Sequence, residues 1–260
     1  MTFFKPRNIV MPADGAAMLA DAIKCVEQPS RRAFLQRSLT LGGLSLLTGC
    51  TPDSQESIER ALASISRFND RAQAVLFDPA RLAPTYPDSM ITRPFPFNAY
   101  YGEDEVRLVD GEAWRLELSG LIADRKPWTL AALGAMPQQS QVTRHICVEG
   151  WSAIGKWGGV PFAQFLRRIG ADLSANYVGF KCADDYFTSI DMATALHPQT
   201  LMALTYDGKT LPPRYGYPMK LRMPTKLGYK NPKHIQAIFV TNTYPGGYWE
   251  DQGYNWFGGS

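Results

Sequence analysis

The chain has 260 residues, of which 45% are hydrophobic and 12% aromatic, enough to bury the core of one medium-sized domain with additions. Of its 27 basic and 24 acidic side chains, six basic and three acidic ones lie in residues 1–49. From residue 50 onward the two signs are therefore balanced at 21 each, which excludes a nucleic-acid-binding protein that depends on a basic surface.

The first 49 residues have the order of an export signal rather than of a folded segment. Residues 30–35, Ser-Arg-Arg-Ala-Phe-Leu, resemble the twin-arginine export motif, and the apolar stretch 39–47 is too short to span a bilayer. Residues 47–50, Leu-Thr-Gly-Cys, resemble a lipobox, which predicts that Cys50 is lipidated and becomes the new N-terminus. A cytosolic amphipathic helix with an accidental arginine pair is the alternative. The twin-arginine translocase moves folded proteins, so this signal is typical of proteins that receive a cofactor before export.

A spacer is predicted between this signal and the main domain. Residues 54–75 place apolar side chains, among them Leu62, Ile65 and Phe68, on one face of a helix. Three prolines between residues 79 and 89 then break regular structure and predict an extended linker. The predicted organisation is a signal at 1–49, a helical spacer and linker at 50–90, a main domain at 91–245, and an aromatic, glycine-rich tail at 246–260.

The main domain begins with residues 91–102, in which alternating prolines and aromatic residues exclude a helix. They predict an extended arm held by buried rings. Downstream, many short strands and few long helices predict a β-rich, mixed α+β domain. The predicted strands are 106–109 and 114–118, joined as a hairpin through Asp110-Gly111, then 177–182, 201–206 and 209–211, the last two joined through Asp207-Gly208, and finally 217–223 and 235–241. The predicted helices are 128–133 and 162–169, the latter leading from a glycine-rich stretch.

A single cysteine stands at the end of a short apolar strand, just before a turn marked by Gly150. Functional residues are often carried by loops at strand ends. No second cysteine lies two or three residues from Cys147, which excludes a zinc ribbon or a thioredoxin-type pair at this position. The adjacent Arg144 and His145 favour a thiolate, which suits a nucleophile or a soft-metal ligand. For His145 and Glu149, a structural role and a role at the site are both open.

The sequence Cys-Val-Glu-Gly-Trp-Ser at 147–152 resembles the cysteine loop of the sulfite-oxidase superfamily of molybdopterin enzymes. Matching blocks recur in the family's order from about residue 91 to residue 243. They are most similar to the branch that contains the catalytic subunit of periplasmic protein-methionine-sulfoxide reductase. The resemblance implies a sulfite-oxidase-type fold, a molybdenum-molybdopterin cofactor, and Cys147 as the one protein sulfur bound to the metal. It also implies that Asn98, Tyr101 and Gly102 of the arm lie at the pterin.

Residues 209–233 contain seven basic side chains and no acidic one. Such a run is usually a solvated surface. Here the lysines are interleaved with Gly228 and Tyr229, and a phosphate is bound by lysine charge together with backbone N–H groups of an irregular turn. The order of residues 224–233 also resembles the family's segment that holds the pterin and its phosphate. The resemblance assigns to the cofactor Tyr215, Lys220, Lys226, Gly228, Tyr229, Lys230, Asn231 and Lys233.

Several positions depart from the family's pattern. Tyr215 stands where relatives often have asparagine or histidine, and Lys220 where they commonly have an arginine; lysine keeps the charge but loses the bidentate fork. Cys182 stands where the resembled branch has a threonine near the cofactor, and a thiol makes only weak hydrogen bonds. Asp185 and Tyr186 follow at the position of the family's substrate pocket and are candidate catalytic residues. A surface turn is equally consistent with these two residues.

The resemblance implies an exported oxidoreductase that transfers an oxygen atom. No C-x-x-C-H haem motif and no iron–sulfur cysteine set is present, so a separate electron partner is expected, a membrane cytochrome or a quinol-linked donor. Reduction of a small-molecule or protein-bound sulfoxide is favoured over oxidation of sulfite, which would require several arginines where only Arg144 lies near Cys147. A non-catalytic lipoprotein with a Cys147–Cys182 disulfide is a further alternative. Because the match ends near residue 243, before the family's dimerisation domain, we expect a lipid-anchored monomer on the periplasmic side of a bacterial membrane.

Overall fold

The computed structural model describes residues 52–260. The chain forms two units, Met1–Leu62 and Ala63–Ser260, and only the start of one helix is described in the first. The predicted export signal and Cys50 lie outside the described residues. Between residues 52 and 260, no helix has the length and apolar character that crossing a membrane requires.

Short strands dominate the described part of the chain, as the sequence predicts for a β-rich α+β domain. The elements in chain order are α1 (Pro52–Leu76), β1 (Glu117–Gly120), α2 (Leu130–Gly134), β2 (Gln139–Ile146), β3 (Ser152–Pro161), α3 (Phe162–Arg168), β4 (Tyr177–Cys182), β5 (Phe187–Asp191), α4 (Met192–Leu196), β6 (Leu201–Tyr206), β7 (Lys209–Thr210), β8 (Lys220–Arg222) and β9 (Ile235–Thr241). Helix α1 and strands β4 and β9 match the predicted helix 54–75 and strands 177–182 and 235–241.

Two sheets carry the fold. The first has the order β1-β9-β4-β5, in which only the β1–β9 pair is parallel. The second has the order β2-β3-β6-β7, and β8 shares the free edge of β6 with β7. The main core contains apolar residues of both sheets, including Phe180 of β4 and Leu221 of β8, together with Phe162 and Phe165 of α3. A smaller core forms around Trp157 of β3.

The proline-rich arm is held by a buried ring, as predicted. Phe95 is buried, and its ring centroid lies 5.3 Å from that of Trp157 and 5.6 Å from that of Tyr215. Upstream, the predicted linker continues the second sheet, because the Tyr86 N–H donates to the carbonyl of Val142 on β2 at 3.0 Å. Both segments therefore pack on β2 and β3, the strands on either side of the Cys147 loop.

The hairpin predicted for residues 106–109 and 114–118 is wrong. Asp110 does form a turn, in which its carbonyl accepts from the Trp114 N–H at 2.9 Å. Residues 106–109 form no strand, and β1 begins only at Glu117, where it pairs in parallel with β9 opposite Ala237. The local turn signal was read correctly, but the partner of the second strand lies more than a hundred residues away in the sequence.

Strand β3 was not predicted, because three glycines within ten residues weaken the strand pattern. These glycines permit close approach between strands. A Cβ at Gly159 would lie 1.9 Å from the carbonyl oxygen of Met202 on β6, and one at Gly158 would lie 2.4 Å from the hydroxyl oxygen of Thr205, also on β6. The glycine-rich stretch therefore belongs to the centre of the second sheet.

Candidate active site

Cys147 directly follows β2 and begins the tight turn to β3. Its N–H donates to the carbonyl of Trp151 at 2.9 Å, and its carbonyl accepts from the Gly150 N–H at 3.1 Å. Gly150 has a φ of +91°, which glycine adopts without strain. The register of β2 and β3, with Ile146 opposite Ser152, fixes where the turn begins. The sheet thus holds the buried thiol in one place at its end.

Two polar side chains, Asn98 and Glu149, contact the Cys147 sulfur. The Asn98 amide nitrogen lies 3.4 Å from Sγ and 3.3 Å from Nε2 of His145. On the other side, Sγ lies 3.6 Å from a carboxylate oxygen of Glu149, which accepts from the indole N–H of Trp151 at 3.0 Å. Burial raises the pKa of the Cys147 thiol, so without a cation it carries its proton. A bound metal ion reverses that preference, because a coordinating thiol is deprotonated.

A cavity of about 270 Å³ opens onto Cys147. Five segments of the chain line it: the arm around Asn98, the Cys147 loop, the turn that contains Asp184 and Tyr186, the loop 228–233, and Trp249 with Tyr254 near the C-terminus. The sequence predicted the first four segments as parts of one site. The structure brings them together and adds the fifth.

Gly228 is required where the loop approaches the cysteine strand. A Cβ at this position would lie 2.8 Å from Nε2 of His145 and 2.9 Å from the amide nitrogen of Asn98, closer than side chains normally approach. Both of these neighbours contact each other, and Asn98 also contacts Cys147. The glycine therefore allows the 3-10 turn Gly228–Lys230 to pack directly on the residues that hold the thiol.

Three buried cations have no carboxylate partner among residues 52–260, and one of them, Lys233, lines the cavity. Lys220 has its ammonium 5.2 Å from the Trp157 ring, and Lys233 has its ammonium 3.5 Å from the Arg214 carbonyl and 4.5 Å from the Phe97 ring. Burial lowers the pKa of Lys220 well below its ordinary value, and the charges of Lys233 and Arg222 lower it further. Burial likewise lowers the pKa of Lys233 to about 8.

Arg222 is the third of these cations and is fully buried. Its guanidinium donates to the carbonyl of Met223 at 3.0 Å, the side-chain oxygen of Asn231 at 3.1 Å and the hydroxyl of Thr143 at 3.3 Å. Burial lowers its pKa to about 9, so it remains charged at neutral pH. Uncompensated buried charge is costly, and an anionic ligand would relieve that cost.

Two imidazoles beside these cations have one nitrogen each without a partner in the described structure, Nδ1 of His145 and Nε2 of His234. Burial lowers the pKa of His145 well below its ordinary value, and Arg222 and Lys220 lower it further. His145 is therefore neutral. It is a site residue that the sequence left undecided, since position alone could not show whether its ring faced the thiol.

Lys226 and Lys230, which the resemblance assigns to the cofactor, have partners of their own. The Lys226 ammonium donates to the Phe257 carbonyl at 2.8 Å and lies 3.6 Å from the Asp191 carboxylate. The Lys230 ammonium is paired with the buried carboxylate of Glu250. Both charges are thus directed to the C-terminal residues and to the β5–α4 junction, whereas Lys220 and Lys233 have no carboxylate partner within residues 52–260.

Asn231 and Tyr229 line the cavity but already make internal hydrogen bonds. The Asn231 side-chain oxygen accepts from the Met223 N–H at 2.7 Å, and its amide donates to the Leu227 carbonyl at 2.9 Å. The Tyr229 carbonyl accepts from the hydroxyl of Tyr186 at 2.6 Å. These bonds stabilise the loop 224–231, and Asn231 also joins it to Arg222. The assignment of Asn231 and Tyr229 to the cofactor stays a prediction.

The remaining predicted residues lie around this centre. Asp185 is exposed at the tip of the β4–β5 turn with a φ of +62°, and its neighbour Asp184 lines the cavity instead. The Tyr101 hydroxyl donates to the Asp184 carboxylate at 2.8 Å, and burial, followed by that carboxylate, raises the pKa of Tyr101. Gly102 starts the exposed 3-10 turn Glu103–Glu105. Tyr215 donates to the Phe95 carbonyl at 2.9 Å, away from the cavity lining.

Cys182 closes β4 and is buried, but it does not line the cavity. Its N–H donates to the Tyr186 carbonyl at 2.9 Å, which closes the β4–β5 turn. Cys147 and Cys182 are both free thiols. The disulfide alternative suggested by the sequence is therefore wrong.

Comparison with known proteins identifies the family. The family model described as "Oxidoreductase molybdopterin binding domain" matches residues 103–249, more than half of the chain. The chain belongs to this family. It is 71% identical over 261 residues, 99% of this chain and 100% of the relative, to a protein of Azospira oryzae named "Putative protein-methionine-sulfoxide reductase subunit YedZ1".

Two more distant similarities agree with the family. The chain is 30% identical over 161 residues to the protein-methionine-sulfoxide reductase catalytic subunit MsrP of Ralstonia nicotianae, which covers 56% of this chain and 49% of that protein. The crystal structure of the sulfane dehydrogenase SoxCD from Paracoccus pantotrophus aligns with a TM-score of 0.50 and 17% identity, over 53% of this chain and 40% of that chain. At this identity the structure shows the fold alone. The predicted sulfite-oxidase-type fold and family are confirmed.

The protein is therefore a molybdenum-dependent oxidoreductase with a molybdopterin cofactor. The residues present fit this group. A free, buried thiol provides a soft ligand at the end of β2. Lys220, Arg222 and Lys233 provide positive charge that no carboxylate in the described part of the chain neutralises, which suits a phosphate. Gly228 lets the loop pack closely on His145 and Asn98, and Asn98 contacts the thiol.

Proposed function

We propose that this protein is the catalytic subunit of an exported protein-methionine-sulfoxide reductase, which reduces sulfoxides with electrons from a separate membrane partner. The full-length similarity to a relative named as a subunit of such a reductase supports the proposal. A relative named as its catalytic subunit gives further support. The reaction consumes two electrons and two protons per sulfoxide and yields a sulfide and water.

The cavity wall at Cys147 is the observation that carries this choice of substrate. Its aromatic residues are Phe97, Tyr100, Tyr186, Tyr229, Trp249 and Tyr254, and its carboxylates belong to Glu149 and Asp184. Among the described residues that line it, Lys233 is the one cation and there is no arginine. Aromatic rings attract the methyl and sulfur groups of methionine, whereas two carboxylates repel an anion such as sulfite. The wall therefore suits a neutral sulfoxide.

Arg144, the arginine that the sequence placed near Cys147, is directed elsewhere. It is exposed, and its guanidinium carbon lies 5.4 Å from the centre of the Tyr86 ring. It lines a second cavity instead of the one at Cys147. This placement leaves oxidation of sulfite as the less favoured alternative.

When bound, the molybdenum cofactor supplies the oxygen-atom acceptor and the two-electron chemistry. Cys147 would hold the metal, and Asn98 would orient its sulfur through the amide group 3.4 Å away. Lys220 and Lys233 would bind the phosphate of the pterin with their ammonium groups. Arg222 would add positive charge beside them without binding the phosphate itself, because its own hydrogen bonds go to protein groups.

Proton supply falls to the β4–β5 turn. Asp184 lines the cavity, and its carboxylate accepts the hydroxyl of Tyr101 at 2.8 Å. We assign the proton-donating role to Asp184, with Tyr101 holding the carboxylate in place. Tyr186 positions the loop through its bond to the Tyr229 carbonyl, and Asp185 shapes the turn that presents its neighbour.

Export and anchoring are proposed from the order of motifs in residues 30–50, since no described residue bears on them. Lysine replacement of Arg31 and Arg32 should retain the protein in the cytoplasm, and Cys50→Ala should release a soluble form on the periplasmic side. An unlipidated wild-type protein in the cytoplasm would contradict this part of the proposal.

Cys147→Ser, compared with Cys182→Ser, tests the proposed reaction. We expect both variants to fold and to retain pterin. We expect the Cys147 variant to lose nearly all reduction of a methionine-sulfoxide peptide by reduced benzyl viologen, because an oxygen ligand replaces the thiolate. The Cys182 variant should keep most of its turnover, since that thiol does not line the cavity.

Oxidation of sulfite with ferricyanide is measured on the same wild-type preparation, together with molybdenum content. Rapid sulfite oxidation with no sulfoxide reduction would replace the proposed substrate by sulfite. Unchanged turnover in Cys147→Ser would end the assignment of Cys147 as the metal ligand.

A further inference from the structure

A second cavity, of about 540 Å³, lies on the other side of the Cys147 strand end. It is formed by the end of α1, the linker that follows, the end of β2 and the last residues of the chain. Leu76, Phe77, Leu82, Ile146 and Phe257 supply apolar side chains to it. The proposed reduction of sulfoxides does not use this cavity.

Exposed apolar side chains continue from the cavity along α1. Leu76 is 82% exposed and Leu82 57%, both at the cavity itself. Val75 is 84% exposed, Phe68 69% and Ile65 56%. Those on α1 follow one another at spacings of three, seven and one residues, which place them on one face of the helix. We call these five residues together with the cavity the donor face. Large apolar side chains exposed together on one helix face and beside a cavity are typical of an interaction site.

The donor face is separated from the metal-binding thiol by a single peptide unit. Ile146 lines the second cavity, and the next residue, Cys147, lines the cavity at the active site. A redox group seated here would therefore have a direct covalent route through the backbone to the thiolate. This surface combines apolar exposure with proximity to Cys147.

The charges at the cavity indicate what kind of partner fits. The charged side chains that line it are those of Arg81, Arg144 and Asp78. The guanidinium of Arg144 is held over the Tyr86 ring at 5.4 Å, which keeps it at the cavity wall. A partner with an apolar segment flanked by acidic side chains would complement this surface.

We propose that the donor face docks the electron-donating protein, a membrane-bound one-electron carrier that presents an apolar segment with acidic flanks. This inference rests on the proposed function, because reduction of one sulfoxide requires two electrons from outside the chain. The carrier is oxidised twice by one electron each, and the sulfoxide takes up both electrons and two protons to give sulfide and water. A lipid surface would use the apolar side chains but gains nothing from a cavity beside the metal ligand.

The double variant Leu76→Glu/Leu82→Glu tests the proposal, with Leu108→Glu as the control. Leu108 is 78% exposed and does not line this cavity. Holoenzyme is assayed with reduced benzyl viologen, which reaches the cofactor by diffusion, and with membranes from a host strain that lacks this protein. Co-sedimentation with those membranes and with protein-free phosphatidylethanolamine/phosphatidylglycerol vesicles is measured in parallel.

We expect the double variant to keep viologen-driven turnover and to lose membrane-driven turnover by at least about tenfold, equivalent to about 1.4 kcal/mol of docking free energy. Leu108→Glu should keep both. Unchanged membrane-driven turnover in the double variant would overturn the proposal. A loss of binding to protein-free vesicles as large as the loss of binding to membranes would also overturn it, because it would identify lipid as the occupant. If the wild-type protein fails to reduce sulfoxide with viologen, the proposed function fails, whereas co-sedimentation still tests the docking surface.

Discussion

Replacing Lys233 by methionine should have opposite effects on the stability of the cofactor-free protein and on cofactor binding. Lys233 is buried at the active-site cavity, and burial lowers its pKa from 10.5 to about 8. A shift of this size corresponds to about 3 kcal/mol of free energy, since one pKa unit is about 1.4 kcal/mol. Methionine keeps most of the apolar contact with Phe97 and removes the buried charge. We therefore expect Lys233→Met to raise the free energy of unfolding of the cofactor-free protein at pH 7 by up to about 3 kcal/mol.

The pH dependence has a definite sign. The folded-state pKa of Lys233 lies below the unfolded-state value, so between about pH 8 and 10.5 the unfolded chain binds more protons than the folded one. The stability of the wild-type protein should consequently rise with pH across this window. Below pH 8 the cost of the buried charge is fully present, and above pH 10.5 it is gone. The gain in Lys233→Met should shrink to zero over the same range.

Urea unfolding of the cofactor-free protein at pH 7 and pH 10.5 measures the first effect, and pterin and molybdenum content after expression measures the second. We expect cofactor content to fall, because the phosphate loses a charge-assisted partner. Lys181→Met, at an exposed position on β4, is the control and should change neither quantity. If the cofactor-free Lys233→Met variant were less stable than the cofactor-free wild-type protein, the charge would serve the fold. If Lys233→Met were expressed with full cofactor content, the charge would not be needed for the ligand.

Two further substitutions test the loop 228–230. Gly228→Ala should fold but lose cofactor, because the new methyl group would lie 2.8 Å from Nε2 of His145. The control Gly134→Ala should keep its cofactor, because nothing lies within 4 Å of a Cβ at that position. Equal cofactor content in the two variants would show that the loop moves freely. Glu250→Gln should destabilise the protein by about 3–5 kcal/mol, because it leaves the buried ammonium of Lys230 without its carboxylate. Thermal unfolding measures this loss, and a change in Tm no larger than that of the exposed Glu117→Gln would refute the pairing.

The sequence predicted those parts of the site that depend on local patterns. Cys147 at a strand end and Gly228 beside basic residues both follow from spacing and residue type, and the structure places them at one cavity. The same patterns could not distinguish Asp184 from Asp185, because a turn residue with positive φ reverses which of two neighbours faces inward. Choosing between them requires the β4–β5 register, in which Lys181 lies opposite Phe187.

Long-range charge pairing was also beyond the sequence. The run 209–233 predicted one basic surface for an anion, yet its four buried lysines divide into two groups. Lys226 and Lys230 are paired with Asp191 and Glu250, whereas Lys220 and Lys233 have no carboxylate among the described residues. No local pattern indicates that division, because the carboxylates come from the β5–α4 junction and from the C-terminal segment.

The C-terminal segment, predicted as a separate tail from residue 246, is an integral support of the active site. The Asp70 carboxylate on α1 accepts from the Asn255 amide at 2.7 Å and from the Phe257 N–H at 2.9 Å. The Phe257 carbonyl in turn accepts from the ammonium of Lys226, and the hydroxyl of Tyr229 donates to the carbonyl of Asn255. Helix α1, which carries the donor face, is thereby joined through the tail to the loop that lines the active-site cavity. One short segment thus supports the surface proposed to receive electrons and the site that uses them.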